Sequence, residues 1–174
     1  LCLIVALVGT VVFRGSLPRL SGEVALSGLV HPVKIDRDEI GVPDILARNR
    51  QDAALALGYL HGQDRFFQMD LQRRMAAGEL SALLGDSQVE SDRDNRRHRF
   101  RIRAAQVLGQ MNEEERIILD SYTAGVNAGL DDLKVRPFEY LALKQKPEPW
   151  RADDSVLILY SMFLDLSYST AATE

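Results

Sequence analysis

The chain has 174 residues, of which 46% are hydrophobic and 26% are charged, and its net charge is -4. This composition is typical of a globular domain with a sizeable core and argues against disorder. The slight acidic excess excludes a general attraction to nucleic acids or to anionic membrane surfaces. The single cysteine, Cys2, lies in an apolar leader, so a disulfide framework, a cysteine zinc cluster and thiol catalysis are excluded elsewhere.

The first segment is a nearly uninterrupted apolar run, LCLIVALVGTVVF, which ends at Arg14. The run is shorter than the roughly 20 residues that span a bilayer, and upstream residues would be needed to complete it. We interpret residues 1–14 as a truncated signal peptide or signal anchor. An uncleaved anchor is favoured because the following RGSLPRLSGEVA offers no obvious small-residue cleavage site, and a buried strand is the alternative. Residues 15–32, which contain glycines and prolines, are predicted to be a linker.

The folded body is predicted to begin near Val33 with a β-hairpin. Apolar and charged residues alternate up to Asp36, a turn is expected at residues 38–41, and a second extended run follows at residues 42–47. Pro43 has no N–H group to donate, so the second strand is expected to lie at a sheet edge or to be irregular at this position.

From Asn49 the apolar period changes from two to about 3.6 residues, which predicts one long helix as far as Ala77. Asn49 is its expected N-cap, and Gly78 its stop. One helical stripe is expected to contain Ala53, Leu57, Leu60, Asp64, Phe67 and Leu71.

Helices are predicted throughout the rest of the chain. A short helical turn is expected at residues 79–84, and a capping-box pattern at residues 112–115 predicts a helix that reaches about Leu133. Pro137 precedes a short helix at residues 138–143, and Asp153 or Asp154 is expected to start a last apolar helix that reaches about residue 166. The predicted fold class is therefore mainly α with a short N-terminal β-hairpin.

Six arginines lie between Ser91 and Arg103, at positions 93, 96, 97, 99, 101 and 103. Clustered guanidinium groups can neutralise phosphates, but acidic residues are interleaved here and Phe100 is the single aromatic residue. We therefore favour a solvated or partner-facing helix start over nucleic-acid binding.

No self-contained catalytic set is evident in the sequence. The three histidines, His31, His61 and His98, are scattered and lack the spacing of metal ligands. Asp64 and Arg65 are expected to anchor a buried polar network. Asp70 and Arg74 are expected to pair on the surface, because they lie four residues apart in a helix.

Five sequence blocks, in a fixed order over about 140 residues, carry a family resemblance. They are VKIDRDEIGVPDILARN, ALGYLHGQDRFFQMDLQRRMAAGELSALLG, YTAGVNAGL, RPFEYLAL and KPEPW with its following Asp. In these blocks the chain resembles the α-chain region of the penicillin acylases, which are N-terminal nucleophile amidohydrolases. The resemblance implies that residues 33–174 are the α-chain portion of an αββα sandwich. It also implies a β-chain from the same precursor that begins with the catalytic serine, so no catalytic residue is expected in this chain.

The resemblance implies three further site residues. Met162 and Leu166 match positions that line the acyl pocket, although ordinary core packing is an equally good explanation of both. Glu174 matches the α-chain carboxylate that binds calcium, which requires hard oxygen ligands. Asp44 departs from the family pattern, in which histidine often follows GVP, and Asp165 stands where some members have a base.

The expected substrates are N-acyl amides, including acyl-homoserine lactones and β-lactam side chains. The expected location is the bacterial periplasm or the periplasmic side of the inner membrane. The alternative hypothesis is a membrane-tethered helical interaction domain without catalysis. Because its partner surface would be exposed, the chain alone is expected to aggregate and to be inactive.

Overall fold

A computed structural model describes the backbone of residues 2–171 and the side chains of residues 9–167. The chain divides into two compact units, each built from two stretches of sequence. The first unit runs up to Phe66 and resumes at Glu113–Trp150. The second contains Phe67–Asn112 and the segment from Arg151 onward.

The described residues form nine α-helices, a two-stranded sheet and a 3-10 turn at Asp86–Gln88. The helices are α1 (Cys2–Gly15), α2 (Arg50–Asp64), α3 (Phe66–Ala77), α4 (Ser81–Leu84), α5 (Val89–Arg96), α6 (Phe100–Gln110), α7 (Glu113–Asp131), α8 (Phe138–Ala142) and α9 (Ala152–Ala171). The strands are β1 (Lys34–Arg37) and β2 (Pro43–Leu46). The predicted fold class, mainly α with a short N-terminal hairpin, is confirmed.

Helix α1 contains 14 residues of the sequence. No helix within residues 2–171 is both long and apolar enough to cross a membrane. The truncated signal peptide or signal anchor predicted for residues 1–14 stays a prediction.

The C-terminal end of α1 is fixed within the first unit by two hydrogen bonds. The backbone N–H of Val135 donates to the carbonyl of Gly15 at 2.9 Å. The N–H of Phe138 donates to Ser16 Oγ at 3.0 Å. The Phe13 and Phe138 rings lie 5.7 Å apart beside these bonds, so both polar and apolar contacts hold this end of the helix.

The hairpin is antiparallel, and Lys34 pairs with Leu46 at its open end. Pro43 is the first residue of β2 and pairs with Arg37, a position at which its missing N–H disrupts the ladder least. Asp38 closes the turn by accepting the N–H groups of Ile40 and Val42 at 3.0 and 2.8 Å.

The prediction of a single helix from Asn49 to Ala77 is wrong in one respect, because the structure divides this segment into two helices at Arg65. This residue leaves the helical region with φ -136° and ψ 8°, while its N–H still donates to the carbonyl of His61 at 2.9 Å. The apolar period continues across the break, so the local sequence contains no signal for it. The predicted N-cap is confirmed, since Asn49 Oδ1 accepts the N–H of Asp52 at 2.7 Å.

Helices α2 and α7 pack with their backbones in direct contact. Gly58 and Gly62 of α2 face α7, and Gly125 and Gly129 of α7 face α2. A Cβ atom added at any of the four would lie 2.1–2.2 Å from a carbonyl oxygen of the other helix. Glycine is therefore required at all four positions of this helix pair.

A polar network lies at one end of the same helix pair. Tyr59 donates its hydroxyl proton to Asp132 at 2.6 Å, and Gln63 Nε2 donates to the Tyr59 oxygen at 3.0 Å. Arg19 joins the network through Asp132 and through Gln63, which accepts the backbone N–H of Arg19 at 3.0 Å. Burial and the Asp132 carboxylate both raise the pKa of Tyr59, so this phenol stays protonated.

Asp52 connects the segment before the hairpin to the start of α2. Its fully buried carboxylate accepts the backbone N–H groups of Val30 and His31 at 2.8 and 3.0 Å, and the side-chain amide of Asn49 at 2.6 Å. Burial acts to raise the pKa of Asp52, but these hydrogen bonds outweigh it and lower the pKa below its usual value.

The core of the second unit lies between α6 and α9. Phe100 stacks on Tyr160 with ring centroids 4.4 Å apart, and His98 stacks on the Phe100 ring with centroids 4.9 Å apart. The buried members of this cluster are Ala76, Phe100, Ala104, Val156, Leu157 and Leu164.

Candidate functional site

Helix α9 presents an exposed apolar stripe on one face. Leu159, Met162, Phe163 and Leu166 follow the i, i+3, i+4, i+7 spacing that places side chains on one side of a helix. Their exposed fractions are 63%, 53%, 55% and 67%. Adjacent, large exposed apolar side chains are typical of surfaces that contact a partner or a ligand.

The buried side of α9 faces α6. Val156 and Leu157 pack in the core of the second unit, and Leu164 is 3% exposed. Phe163 lies at the margin, where its ring meets the edge of Phe100 with centroids 6.4 Å apart. The helix is thus held by one face while the stripe is presented by the other.

A buried ion network fixes the first turn of α9, and Asp154 is at its centre. The Asp154 carboxylate is fully buried and accepts hydrogen bonds from Arg73 Nη1 at 2.5 Å and from Arg101 Nη1 at 2.9 Å. It also accepts the backbone N–H of Arg151 at 2.8 Å, as the third residue of a helix does in a capping box.

The network extends to α3 and to the segment after it. Arg101 makes a bidentate pair with Glu79 at 2.7 and 3.0 Å and also donates to Asp153 at 3.1 Å. Burial acts to lower the pKa of Arg101, but its carboxylate partners outweigh burial and raise it. Every carboxylate in the network faces a guanidinium group, which is the condition for burying such charges.

The other end of the network lies within α3. Asp70 is fully buried and accepts hydrogen bonds from Arg73 Nε at 2.7 Å and from Arg74 Nε at 2.9 Å. The predicted pairing of Asp70 with Arg74 is confirmed, but its predicted surface position is wrong. Burial acts to lower the pKa of Arg73, whereas Asp154 and Asp70 together raise it.

The two residues predicted to bind substrate, Met162 and Leu166, both lie in the exposed stripe of α9. The structure places both on one face of the helix, and their role in substrate binding stays a prediction. Glu174, the predicted calcium ligand, lies outside the described residues. Within those residues no three His, Cys, Asp or Glu side chains are grouped as metal ligands would be.

The remaining polar residues singled out in the sequence lie in structural contacts of the first unit. Asp64 pairs with Arg37 of the hairpin at 2.8 Å, whereas Arg65 is exposed at the break between α2 and α3. The buried network predicted for Asp64 and Arg65 is therefore wrong for Arg65. His61 Nδ1 lies 2.9 Å from the hydroxyl of Tyr122 on α7. Burial lowers the pKa of His61 and raises the pKa of Tyr122 to about 12, so both groups are neutral at pH 7.

The arginine-rich segment does not form one surface patch in the structure. Arg101 enters the buried network, and Arg96 Nε donates to the carbonyl of Gly78 at 2.6 Å. Exposed pairs join Arg93 to Glu90 at 2.8 Å and Arg97 to Asp94 at 3.6 Å. Sequence reasoning missed the role of Arg101, whose partners at positions 79, 153 and 154 are far away in the chain.

Residues 32–174 match the penicillin amidase family. The chain belongs to this family. It is 38% identical over 146 residues to a penicillin acylase 2 proenzyme of Pseudomonas sp. strain SE83. It is 34% identical over 163 residues to an acyl-homoserine lactone acylase of Pseudomonas fluorescens strain Pf0-1. These alignments cover 84% and 91% of this chain but 19% of each relative, so the chain spans about a fifth of their length.

A solved structure of the family also matches. The chain is similar to a thermostable penicillin G acylase from Alcaligenes faecalis, with 31% identity and a TM-score of 0.68. The alignment covers 77% of this chain and 73% of the solved chain, so the two polypeptides are similar in length. The family is one of amidohydrolases, as the sequence resemblance implied.

Proposed function

We propose that the chain is the α-chain portion of an N-acyl amide hydrolase whose nucleophile lies on a second chain made from the same precursor. The matched Pseudomonas relative is named a proenzyme and is about five times longer than the aligned region. The solved penicillin G acylase chain, in contrast, is similar in length to this one. The short chain of the solved penicillin G acylase and the long proenzyme of the Pseudomonas relative together support the two-chain organisation.

The observation that carries this proposal is the exposed stripe of α9. Three side chains of the stripe, Leu159, Met162 and Phe163, each leave more than half of their surface open, although the helix that bears them is fixed by buried ion pairs. A rigid helix with an open apolar face is suited to dock against another folded surface. In the proposed enzyme, the second chain covers this face and the αββα sandwich is completed.

In the proposed reaction this chain supplies no catalytic group. A serine hydroxyl is a weak nucleophile until a base removes its proton, and the free α-amino group of an N-terminal serine supplies that base. The hydroxyl attacks the amide carbonyl, an acyl ester forms as the amine leaves, and water then releases the carboxylic acid. In this scheme the acyl group binds where the second chain meets α9, so that Met162 and Leu166 of the stripe contact it and contribute to specificity.

Calcium binding is proposed through Glu174. A carboxylate is a hard oxygen donor of the kind calcium prefers, but one carboxylate is far from the six to eight oxygens it coordinates. The further ligands are proposed to come from the second chain. The ion would join the two chains structurally, and no catalytic step is assigned to it.

The deciding experiment is to express the full reading frame and to determine the intact mass and N-terminal sequence of every product. A second chain that begins with Ser is expected, and it would justify a substrate panel of N-acyl homoserine lactones and acylated β-lactams. Recovery from the periplasmic fraction is expected as well. A single uncut, inactive chain would contradict the enzyme proposal and favour the alternative, a helical interaction domain without catalysis.

A further inference from the structure

Arg136 is in an unusual position in the first unit. Its Nε atom is shielded from solvent, yet it has no hydrogen-bond partner, and no other described side-chain nitrogen or oxygen shares this condition. No hydrogen bond or ion pair joins the Arg136 guanidinium to any residue that the structure describes. A buried donor without an acceptor is costly, more so when it carries charge.

The same side chain lines a cavity of about 310 Å³ between the end of α7 and the proline-rich segment before Trp150. This volume is at the lower end of the range of small-molecule sites, which is roughly 300–1,000 Å³. Its other walls are formed by Asn127, Leu130, Asp131, Leu133, Pro147 and Pro149. The cavity thus combines apolar side chains with polar ones, and among the polar ones is a cationic group without an ion-pair partner.

Asn127 is held in the wall of this cavity by two hydrogen bonds. Its Oδ1 accepts the backbone N–H of Trp150 at 2.7 Å, and its Nδ2 donates to the carbonyl of the same residue at 2.9 Å. These two bonds fix the wall, so the cavity is preformed. Arg136 is the single cationic residue in the lining, so it is the group expected to recognise an anionic ligand.

We infer that this cavity binds the carboxylate of a small organic acid with an apolar body, and that Arg136 is the group that recognises it. A guanidinium presents two N–H groups in a fork that matches the two oxygens of a carboxylate. Because Arg136 lines the cavity, a bound carboxylate would give its guanidinium the acceptor that it lacks in this structure. Leu130, Leu133 and the two prolines then cover the apolar part of the acid.

Asp131 opposes this binding, because a carboxylate in the wall repels an anionic ligand. Its side chain is exposed, however, and solvent and salt screen the repulsion from an exposed group. Asp131 thus weakens binding without preventing it, and the Asp131→Asn variant is expected to bind the acid about twofold more tightly.

The test measures the binding of hexanoate to the full-length protein by calorimetry, with hexanamide as the uncharged probe. Hexanoate is expected to bind saturably and hexanamide at least about tenfold more weakly. Arg136→Gln should lose at least about tenfold in affinity for hexanoate, and Arg136→Lys should fall in between. Arg97→Gln, which removes an equal charge from an exposed arginine, should bind as the unaltered protein does.

The carboxylate has two possible sources, a free acid or a side chain of the rest of the polypeptide, and a crystal structure distinguishes them. Hexanoate against Arg136 after soaking supports the first source. An aspartate or glutamate of the second chain against Arg136, with no calorimetric signal, would show the second source and would overturn the inference of a site for a small acid. Water alone beside Arg136 at a saturating hexanoate concentration would also overturn the inference, as would equal affinity of Arg136→Gln for hexanoate.

Discussion

Arg73 and Asp154 are 81 positions apart in the chain, and their side chains form a buried ion pair with Nη1 and Oδ2 2.5 Å apart. The exposed fractions of the two side chains are 4% and 0%. The pair joins α3 to the first turn of α9, and Arg101 binds the other oxygen of the same carboxylate. The start of the helix that carries the apolar stripe is therefore fixed by charges that solvent does not reach.

Replacement of Asp154 by alanine is expected to lower the free energy of unfolding by about 3–5 kcal/mol, because it leaves two guanidinium groups without their shared carboxylate. Chemical denaturation of the assembled protein would measure this. Glu90→Ala is the control, since it breaks only the exposed pair with Arg93 and should cost no more than about 1 kcal/mol. Equal effects of the two substitutions would show that the buried network does not stabilise the fold.

The glycine contacts between α2 and α7 predict that Gly58→Ala destabilises the first unit. The new Cβ would lie 2.2 Å from the carbonyl oxygen of Tyr122, so the helices must move apart, at a cost of about 1–3 kcal/mol or more. Gly109→Ala in α6 is the matched control. Nothing lies within 4 Å of its added Cβ, and alanine in a helix should stabilise by about 0.5–1 kcal/mol. Thermal unfolding should therefore shift in opposite directions for the two variants.

The partial burial of His61 predicts that the stability of the fold depends on pH. Burial lowers its pKa in the folded state, so the neutral ring is favoured, and the stabilising contribution is fully present above the unfolded pKa of about 6.5. The contribution is lost as the pH falls from about 6.5 through the lower folded pKa. His61→Gln should therefore be less stable than the unaltered protein at pH 8, and the difference should shrink by pH 5.

Denaturation curves at several pH values would measure this difference. Tyr122→Phe removes the hydroxyl that lies 2.9 Å from the His61 ring and is expected to cost about 1 kcal/mol at pH 8. A difference between His61→Gln and the unaltered protein that stays constant from pH 8 to pH 5 would show that protonation of His61 is not linked to folding.

The stripe on α9 predicts which surface side chains are needed for assembly. Leu159→Glu should reduce recovery of a second chain when the two are purified together, because it places a charge on the proposed contact surface. Ile102→Glu is the control, since Ile102 of α6 is 50% exposed and lies outside the stripe. Equal recovery with both variants would exclude the stripe as the contact surface.

Much of the fold was predictable because its signals are local. The N-cap at Asn49, the hairpin around its turn at residues 38–41 and the helix after Asn112 each depend on neighbouring residues, and each was confirmed. The family assignment was also predictable, since the blocks that carry it are continuous stretches of sequence.

The other features of the fold and of the candidate site depend on tertiary contacts, which the sequence does not show. The surface position predicted for Asp70 and Arg74 was wrong because their spacing indicates a pair but says nothing about burial. Arg101 could not be distinguished from its exposed neighbours, because its partners Asp153 and Asp154 are more than 50 positions away. The orphaned Arg136 was likewise invisible in the sequence, where it is one arginine beside a proline.

The glycine-faced pair of α2 and α7 also sets the order of events during synthesis. The two helices are separated in sequence by all of residues 65–112, so α2 emerges from the ribosome long before the helix that its glycines fit. The ring of Phe66 packs against Trp150, which emerges later still. Closing so long a loop is slow, and until then the bare backbone face of α2 is open to solvent and to other chains. The nascent chain is therefore most vulnerable to misassembly in the interval before residue 150 has been translated.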